Sequence, residues 1–221
     1  MSDIQRDRIL GCACELYLND GLDGFSMRKL ARHVGVTAPA LYRHYENKEH
    51  VLADVVREAY REFTGYLYRA LEGRTPWERI SRAGEGYLEF ALEHPRWYEI
   101  LFIAPDQMGM AALPDDIEAQ GCAVHQFWVD RVRECMDAGL LRVGDPLRAS
   151  LTMWAHAHGL VTLYNHGHFR MDRDEFQALF RASGASMLIG LATEEFAAEV
   201  AEQMDEFTTA QPAVQGYTTK G

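Results

Sequence analysis

Residues 25–49 decide how the chain is read: Phe25-Ser-Met-Arg-Lys-Leu-Ala-Arg-His-Val-Gly-Val-Thr-Ala-Pro-Ala-Leu-Tyr-Arg-His-Tyr-Glu-Asn-Lys-Glu49. Two short helices are written here, each with its own start signal. Ser26 is a side-chain acceptor that closes the first turn of one helix, and Gly35 supplies the positive φ that ends it. Thr37 caps the next, with Pro39 tolerated in its first turn. Leu30, Ala31 and Val34 form the inner stripe of the first helix, and Ala31 is small where two helices must approach. Val36 plugs the corner. Leu41 and Tyr45, four apart, hold the second helix on a core. Thr37, Ala38, Ala40, Tyr42, Arg43 and His44 are left facing outward. A short helix projecting small and hydrogen-bonding side chains fits a DNA major groove, where a bulkier one would not.

Charge supports this reading. The net charge is -11, which alone argues against a general nucleic-acid binder. Yet residues 1–50 hold seven Lys/Arg against seven Asp/Glu, so the acidic excess lies entirely beyond them. Within residues 26–48, Arg28, Lys29, Arg32, Arg43 and Lys48 face only Glu46, five against one or +4. A small basic island on an acidic body is the pattern of a polyanion-binding head. The plainer account, a solvated helix face, fits the charge alone equally well.

Outside this segment almost every stretch repeats its apolar residues at three and four, and period-2 β-branched runs are missing. A first helix is expected over Ile4 to Asn19, with Gly21 after it. Asn47 opens a fourth helix over 47–72, with Glu49 in the first turn where the helix dipole favours a carboxylate. Thr75 to Glu78 and Asp172 to Glu175 read as capping boxes, and Asp145-Pro146 and Thr193 as further starts. The chain is therefore expected to be all-α, with about ten helices. Its expected domains are a three-helix head over 1–50, a body over 51–207 joined to it by the fourth helix, and a flexible tail over 208–221.

The segment from about residue 6 to 55 resembles the TetR/AcrR family of transcriptional regulators. The shared order is an apolar residue and polar cap, then Leu-Ala, Gly-Val, Leu-Tyr, an aromatic and Asn-Lys-Glu. That resemblance implies phosphate contacts for Tyr42 and Lys48. Lys48 begins a helix, where free backbone N–H groups add to phosphate attraction. Arg28 is placed to reach backbone or a base edge, and Thr37, Ala38 and Ala40 to neighbour bases. The resemblance also implies double-stranded operator DNA as partner, repression, and a small-molecule effector.

The body carries aromatic and methionine side chains with a few polar groups, as a small-molecule cavity between helices requires. Trp97, Tyr98, Phe102 and Met108 come from one stretch interrupted by Pro95, Pro105 and Pro114. His125 and Trp128 follow, then Trp154, His158 and Tyr164. Each alone is accounted for by core packing; as a group they are expected to bind the effector. Trp154, His158 and Gly159 are similar to the Trp-His-Gly signature of one C-terminal class in the same family, the WHG class, which implies effector binding and dimerisation. Two copies of a groove-reading helix must meet major-groove faces about 34–36 Å apart. The small residues of helices near 146–166 and 173–190 suit the homodimer this demands, under twofold symmetry.

The remaining signals are exclusions. No apolar run approaches the ~20 residues of a membrane span. The charged Met-Ser-Asp-Ile-Gln-Arg-Asp-Arg start has no apolar core behind it, so no signal peptide is expected. Cys12, Cys14, Cys122 and Cys135 lack metal or disulfide spacing and read as reduced cytoplasmic thiols. His156 and His158 point about 200° apart on a helix, and HExxH and paired CxxC motifs are absent. No metal, cofactor or catalytic residue is expected. The rival class, a helical-bundle enzyme acting on a small aromatic or apolar molecule, has only carboxylates beside histidines, Glu93–His94 and Asp172 near His168, without a nucleophile.

Overall fold

The computed structural model describes residues 2–209, with side-chain surroundings for residues 5–202. Among them are ten α-helices and no strand: α1 (Ser2–Gly24), α2 (Met27–Val34), α3 (Ala38–Tyr42), α4 (Lys48–Tyr68), α5 (Pro76–Glu93), α6 (Pro95–Phe102), α7 (Asp115–Asp137), α8 (Pro146–Asn165), α9 (Arg173–Ile189) and α10 (Glu194–Thr209). Short 3-10 turns lie at Arg69–Glu72 and Pro105–Met108.

The caps form where local chemistry places them. Ser26 accepts from the Lys29 amide and Thr37 from the Ala40 amide, at 3.3 Å each. Asn47 accepts from His50 at 2.9 Å. Asp172 and Glu175 close a reciprocal box, each accepting the other's amide at 2.9 Å. At Thr75 only half of the expected box appears. The Glu78 amide bonds Thr75 Oγ1, but the Glu78 carboxylate takes the amide of Arg74, one residue further out.

Two helix ends differ from expectation. Helix α1 continues beyond Asn19 to Gly24, with a kink at Gly21 (φ 67°). The positive φ is what calls for glycine at this kink; the nearest neighbour a Cβ would meet is the flexible end of Arg96, at 2.8 Å. The fourth helix ends as α-helix at Tyr68, and the chain reaches Glu72 as a 3-10 turn. Of the expected tail, residues 208 and 209 belong to α10, and 210–221 lie outside the described residues.

The described residues divide into two compact units, one running to residue 66 and taking in 93–124, the other of 67–92 and from 125 onward. These limits are not the 1–50 and 51–207 limits expected from charge, because charge balance says nothing of which distant segments pack together. In the first unit, α2 packs on α1 and α3, and α1 also meets α6. Its interior includes Ile9, Tyr17, Leu30, Leu41, Leu52 and Ile100, each at most 1% exposed. Burying such a side chain contributes roughly 1.5–3 kcal/mol. In the second unit, α8 packs on α9 and α9 on α10. Its core includes Ile80, Val132, Leu141, Leu188, Phe196 and Val200. No helix among the described residues is long and apolar enough to cross a membrane.

Candidate functional site

The turn between α2 and α3 is built by Gly35 (φ 77°, ψ 35°), whose amide bonds the Ala31 carbonyl while Val36 bonds the same oxygen. The end of α2 is held from α1 as well, by Arg8 Nη2 donating to the Val34 carbonyl at 2.8 Å. Leu41 is fully buried and Tyr45 nearly so. Their burial turns the opposite face of α3 outward. Tyr42 is 50% exposed; Thr37 and Arg43 are exposed, and Ala38, Ala40 and His44 half-buried. Arg28 is exposed in the first turn of α2.

Lys48 is more constrained than the sequence suggests. Its Nζ lies 3.4 Å from the Leu22 carbonyl and 5.9 Å above the Phe25 ring, which anchors the amine against the last turn of α1. Of the basic island, Lys29 is matched by Asp20 at 3.4 Å.

Beneath the turn lies a polar cluster that sequence reading did not find. Asp54 of α4 is 8% exposed and accepts from Tyr45 Oη at 2.8 Å, Arg6 Nη2 at 3.0 Å and Arg57 Nη1 at 2.5 Å. Arg57 also forks onto both carboxylate oxygens of Asp116 at the start of α7, at 2.6 and 2.8 Å. Those hydrogen bonds hold the Asp116 carboxyl below its ordinary range. Charge-assisted and bidentate bonds of this kind are the strong ones, so Asp54 ties α1 and the segment after α3 to α4, and Arg57 carries the link on to the exposed Asp116 of α7. A second grouping also crosses helices: ligand atoms of Cys12 and Glu15 on α1 and His33 on α2 lie within 4.8 Å of one another.

The nine residues named as effector contacts fall into two groups, one in each compact unit. In the first unit Trp97, Tyr98 and Met108 are buried core residues; Trp97 packs on Tyr17 at 6.3 Å and Tyr98 on the more exposed Phe102 at 4.9 Å. In the second, His158 is the centre. Tyr87 Oη lies 3.4 Å from its Nδ1 and Thr162 Oγ1 3.4 Å from its Nε2, with the Trp154 ring 5.4 Å away. Tyr87 in turn meets Trp128 edge-on at 6.4 Å. Burial lowers the His158 pKa, favouring a neutral ring. Tyr164 stacks on Phe176 at 4.0 Å. His125 Nε2 is buried without a hydrogen-bond partner. Glu93 and His94 share the Tyr66 hydroxyl at 2.8 and 2.9 Å, a clasp between α4 and the start of α6.

A capped, glycine-turned helix pair that buries its hinge side and bares α3 defines a DNA-binding transcriptional regulator of the helix-turn-helix class. The chain belongs to the TetR family: residues 9–55 match the model of bacterial regulatory proteins of the tetR family, and residues 80–187 that of the tetracyclin repressor-like C-terminal domain. The latter range contains Trp154, His158 and Gly159. The repressor KstR2 of Mycolicibacterium smegmatis is 26% identical over 141 residues, 62% of this chain and 68% of that protein. The class C tetracycline repressor of Escherichia coli is 41% identical over 59 residues, 27% of this chain and 26% of its own. Among solved structures, a Rhodococcus protein described as of unknown function superposes with a TM-score of 0.74 at 26% identity, covering 86% of this chain and 96% of that one. The ketosteroid regulator KstR2 of Mycobacterium tuberculosis shares the fold, with a TM-score of 0.61 at 17% identity, covering 86% and 95%.

Proposed function

We propose that the protein is a repressor that binds operator DNA as a homodimer and releases it when a small apolar or aromatic molecule occupies the helical body. The observation that carries this reading is α3 with its flanks: Leu41 on the helix and Tyr45 just beyond it are buried, while Tyr42 and the capping residues Thr37 and Arg43 are bared. Phosphate contacts from Tyr42, Lys48 and the exposed arginines supply affinity, and Thr37, Ala38 and Ala40 meet base edges. The repressors named among the relatives support the direction of regulation.

For the effector, the group around His158 is the one we carry forward. It combines aromatic rings with neutral polar groups; His125, three residues before Trp128 on α7, has a buried nitrogen without a hydrogen-bond partner. A ligand supplying a donor or acceptor there relieves a group that is otherwise costly to bury. Dimerisation is assigned to α8 and α9, whose packing on each other leaves Leu147, Leu151 and Trp154 of α8 exposed at i, i+4 and i+7 on one face. Reciprocity then requires DNA to weaken effector binding by the factor by which effector weakens DNA binding.

Fluorescence anisotropy with DNA from beside the protein's own gene tests the reading. Binding to the specific fragment should exceed binding to a scrambled one by at least about 10³ at physiological salt. Equal affinities for the two would overturn it.

A further inference from the structure

We propose that Cys12, Glu15 and His33 form a site for one borderline divalent cation, Zn²⁺ foremost, that cross-links α1 to α2 in the helix-turn-helix head. Nothing in the DNA-binding or effector reading uses these three residues, so the proposal stands apart from both. The site is assembled by the fold. Cys12 and Glu15 are three apart on α1 and share one face, and His33 comes from the last turn of α2 across the helix pair. One ligand atom from each lies within 4.8 Å of the others, and His33 Nε2 is already 2.9 Å from Glu15 Oε2.

The donor set selects the metal. One thiolate sulfur, one imidazole nitrogen and one carboxylate oxygen suit Zn²⁺ and its borderline neighbours, whereas Ca²⁺ and Mg²⁺ demand oxygen cages. Three protein ligands leave the fourth tetrahedral position to water, and the site is open enough to admit it. Glu15 and His33 are exposed and Cys12 is half-buried. The bond lengths of about 2.0–2.3 Å that Zn²⁺ requires draw the three atoms inward, and the exposed His33 and Glu15 side chains supply that movement by rotamer change. The opposite charges of Glu15 and the cation replace the present His33–Glu15 contact. Metal then does for the α1–α2 pair what Arg8 does a turn away through the Val34 carbonyl, fixing α2 on its support.

Cobalt(II) titration of the full-length reduced protein tests this, because a Co²⁺–thiolate bond has its own charge-transfer absorption. The wild type should take up one Co²⁺ per chain with that band, and Zn²⁺ should abolish it by displacement. Cys12→Ser should lack the band, while Cys14→Ser and Cys122→Ser retain it. His33→Gln keeps the thiol and alters only an exposed residue, so it should fold and still bind Co²⁺ more weakly, by more than the roughly 10–100-fold that losing a ligand's hydrogen-bond partner costs. Zn²⁺ should raise the melting temperature of the wild type but not of Cys12→Ser. A wild type without the thiolate band, a band that survives Cys12→Ser, or a His33→Gln variant of unchanged affinity would each overturn the proposal.

Discussion

Tyr45 and Asp54 are joined by a 2.8 Å hydrogen bond buried inside the helix-turn-helix head. Tyr45 follows α3 by three residues and is itself buried, with the Arg6 guanidinium 5.2 Å from its ring, so one residue ties the end of the groove-facing helix to α1 by its ring and to α4 by its hydroxyl. Asp54 is paired with Arg6 and Arg57 as well. A buried carboxylate is tolerated only when its charge and lone pairs are met in this way.

Tyr45→Phe isolates the hydroxyl. The ring still fills its place, but Asp54 loses one buried partner. A hydrogen bond to a charged group is worth about 1.5–3 kcal/mol, and we expect a loss of that size in urea denaturation. A change within experimental error would show that Arg6 and Arg57 satisfy Asp54 alone.

Much of the head was legible in sequence because its signals are local. Ser26, Thr37 and Asn47 cap amides three residues away, and Gly35 must be left-handed wherever a turn this tight occurs. Lys48 was legible as the start of a helix, but not as a side chain held by Leu22. The Asp54 cluster was not legible at all: Arg6 is 48 residues away and Arg57 reaches Asp116 across 59, and no periodicity encodes such meetings. The effector residues show the same limit. Aromatic content marked them as a set, yet the fold buries Trp97, Tyr98 and Met108 in one unit and gathers Trp128, Trp154 and His158 in the other.

Gly35 offers a clean backbone test. A Cβ there meets nothing within 4 Å, so Gly35→Ala costs only conformational energy. With φ at 77°, we expect a destabilisation of about 1–2 kcal/mol in thermal or chemical unfolding. Gly35→Asn should lose less, since asparagine accepts the left-handed region more readily. Equal losses would point to packing rather than backbone.

His158 makes stability depend on pH. Burial lowers its folded pKa below the 6.5 of a free histidine. The unfolded chain therefore binds more protons over the window from 6.5 down to the folded value, and unfolding free energy rises with pH there. Stability present above pH 6.5 should be lost as pH falls through that window, and His158→Asn should flatten this part of the profile. An unchanged profile in the variant would remove His158 as the cause.

The α8 stripe predicts an oligomeric readout. Leu151→Glu places a charge on the exposed apolar face without touching the buried Ala149 or Val161. If the proposed interface holds, sedimentation should give a dimer for the wild type and a monomer for the variant, and specific DNA binding should fall with it, because one head cannot span two half-sites. A dimeric variant would move the interface away from this face.

Salt dependence separates the two residues proposed to touch phosphate. Each phosphate neutralised by a cationic side chain contributes about 0.9 to the slope of log affinity against log salt. Lys48→Met removes a cation from each subunit, so a dimer's slope should fall by roughly 1.8, twice the single contribution. Tyr42→Phe removes a neutral donor, so affinity should drop while the slope stays. Lys48 carries a further consequence that Tyr42 does not, since its amine bonds the Leu22 carbonyl at 3.4 Å. Unfolding of Lys48→Met should therefore show a small loss of head stability in the absence of DNA, and Tyr42→Phe, at a residue 50% exposed, should show none. If Lys48→Met weakens DNA binding with an unchanged slope, its role is to hold α4 against the end of α1, and the phosphate contact belongs to another residue.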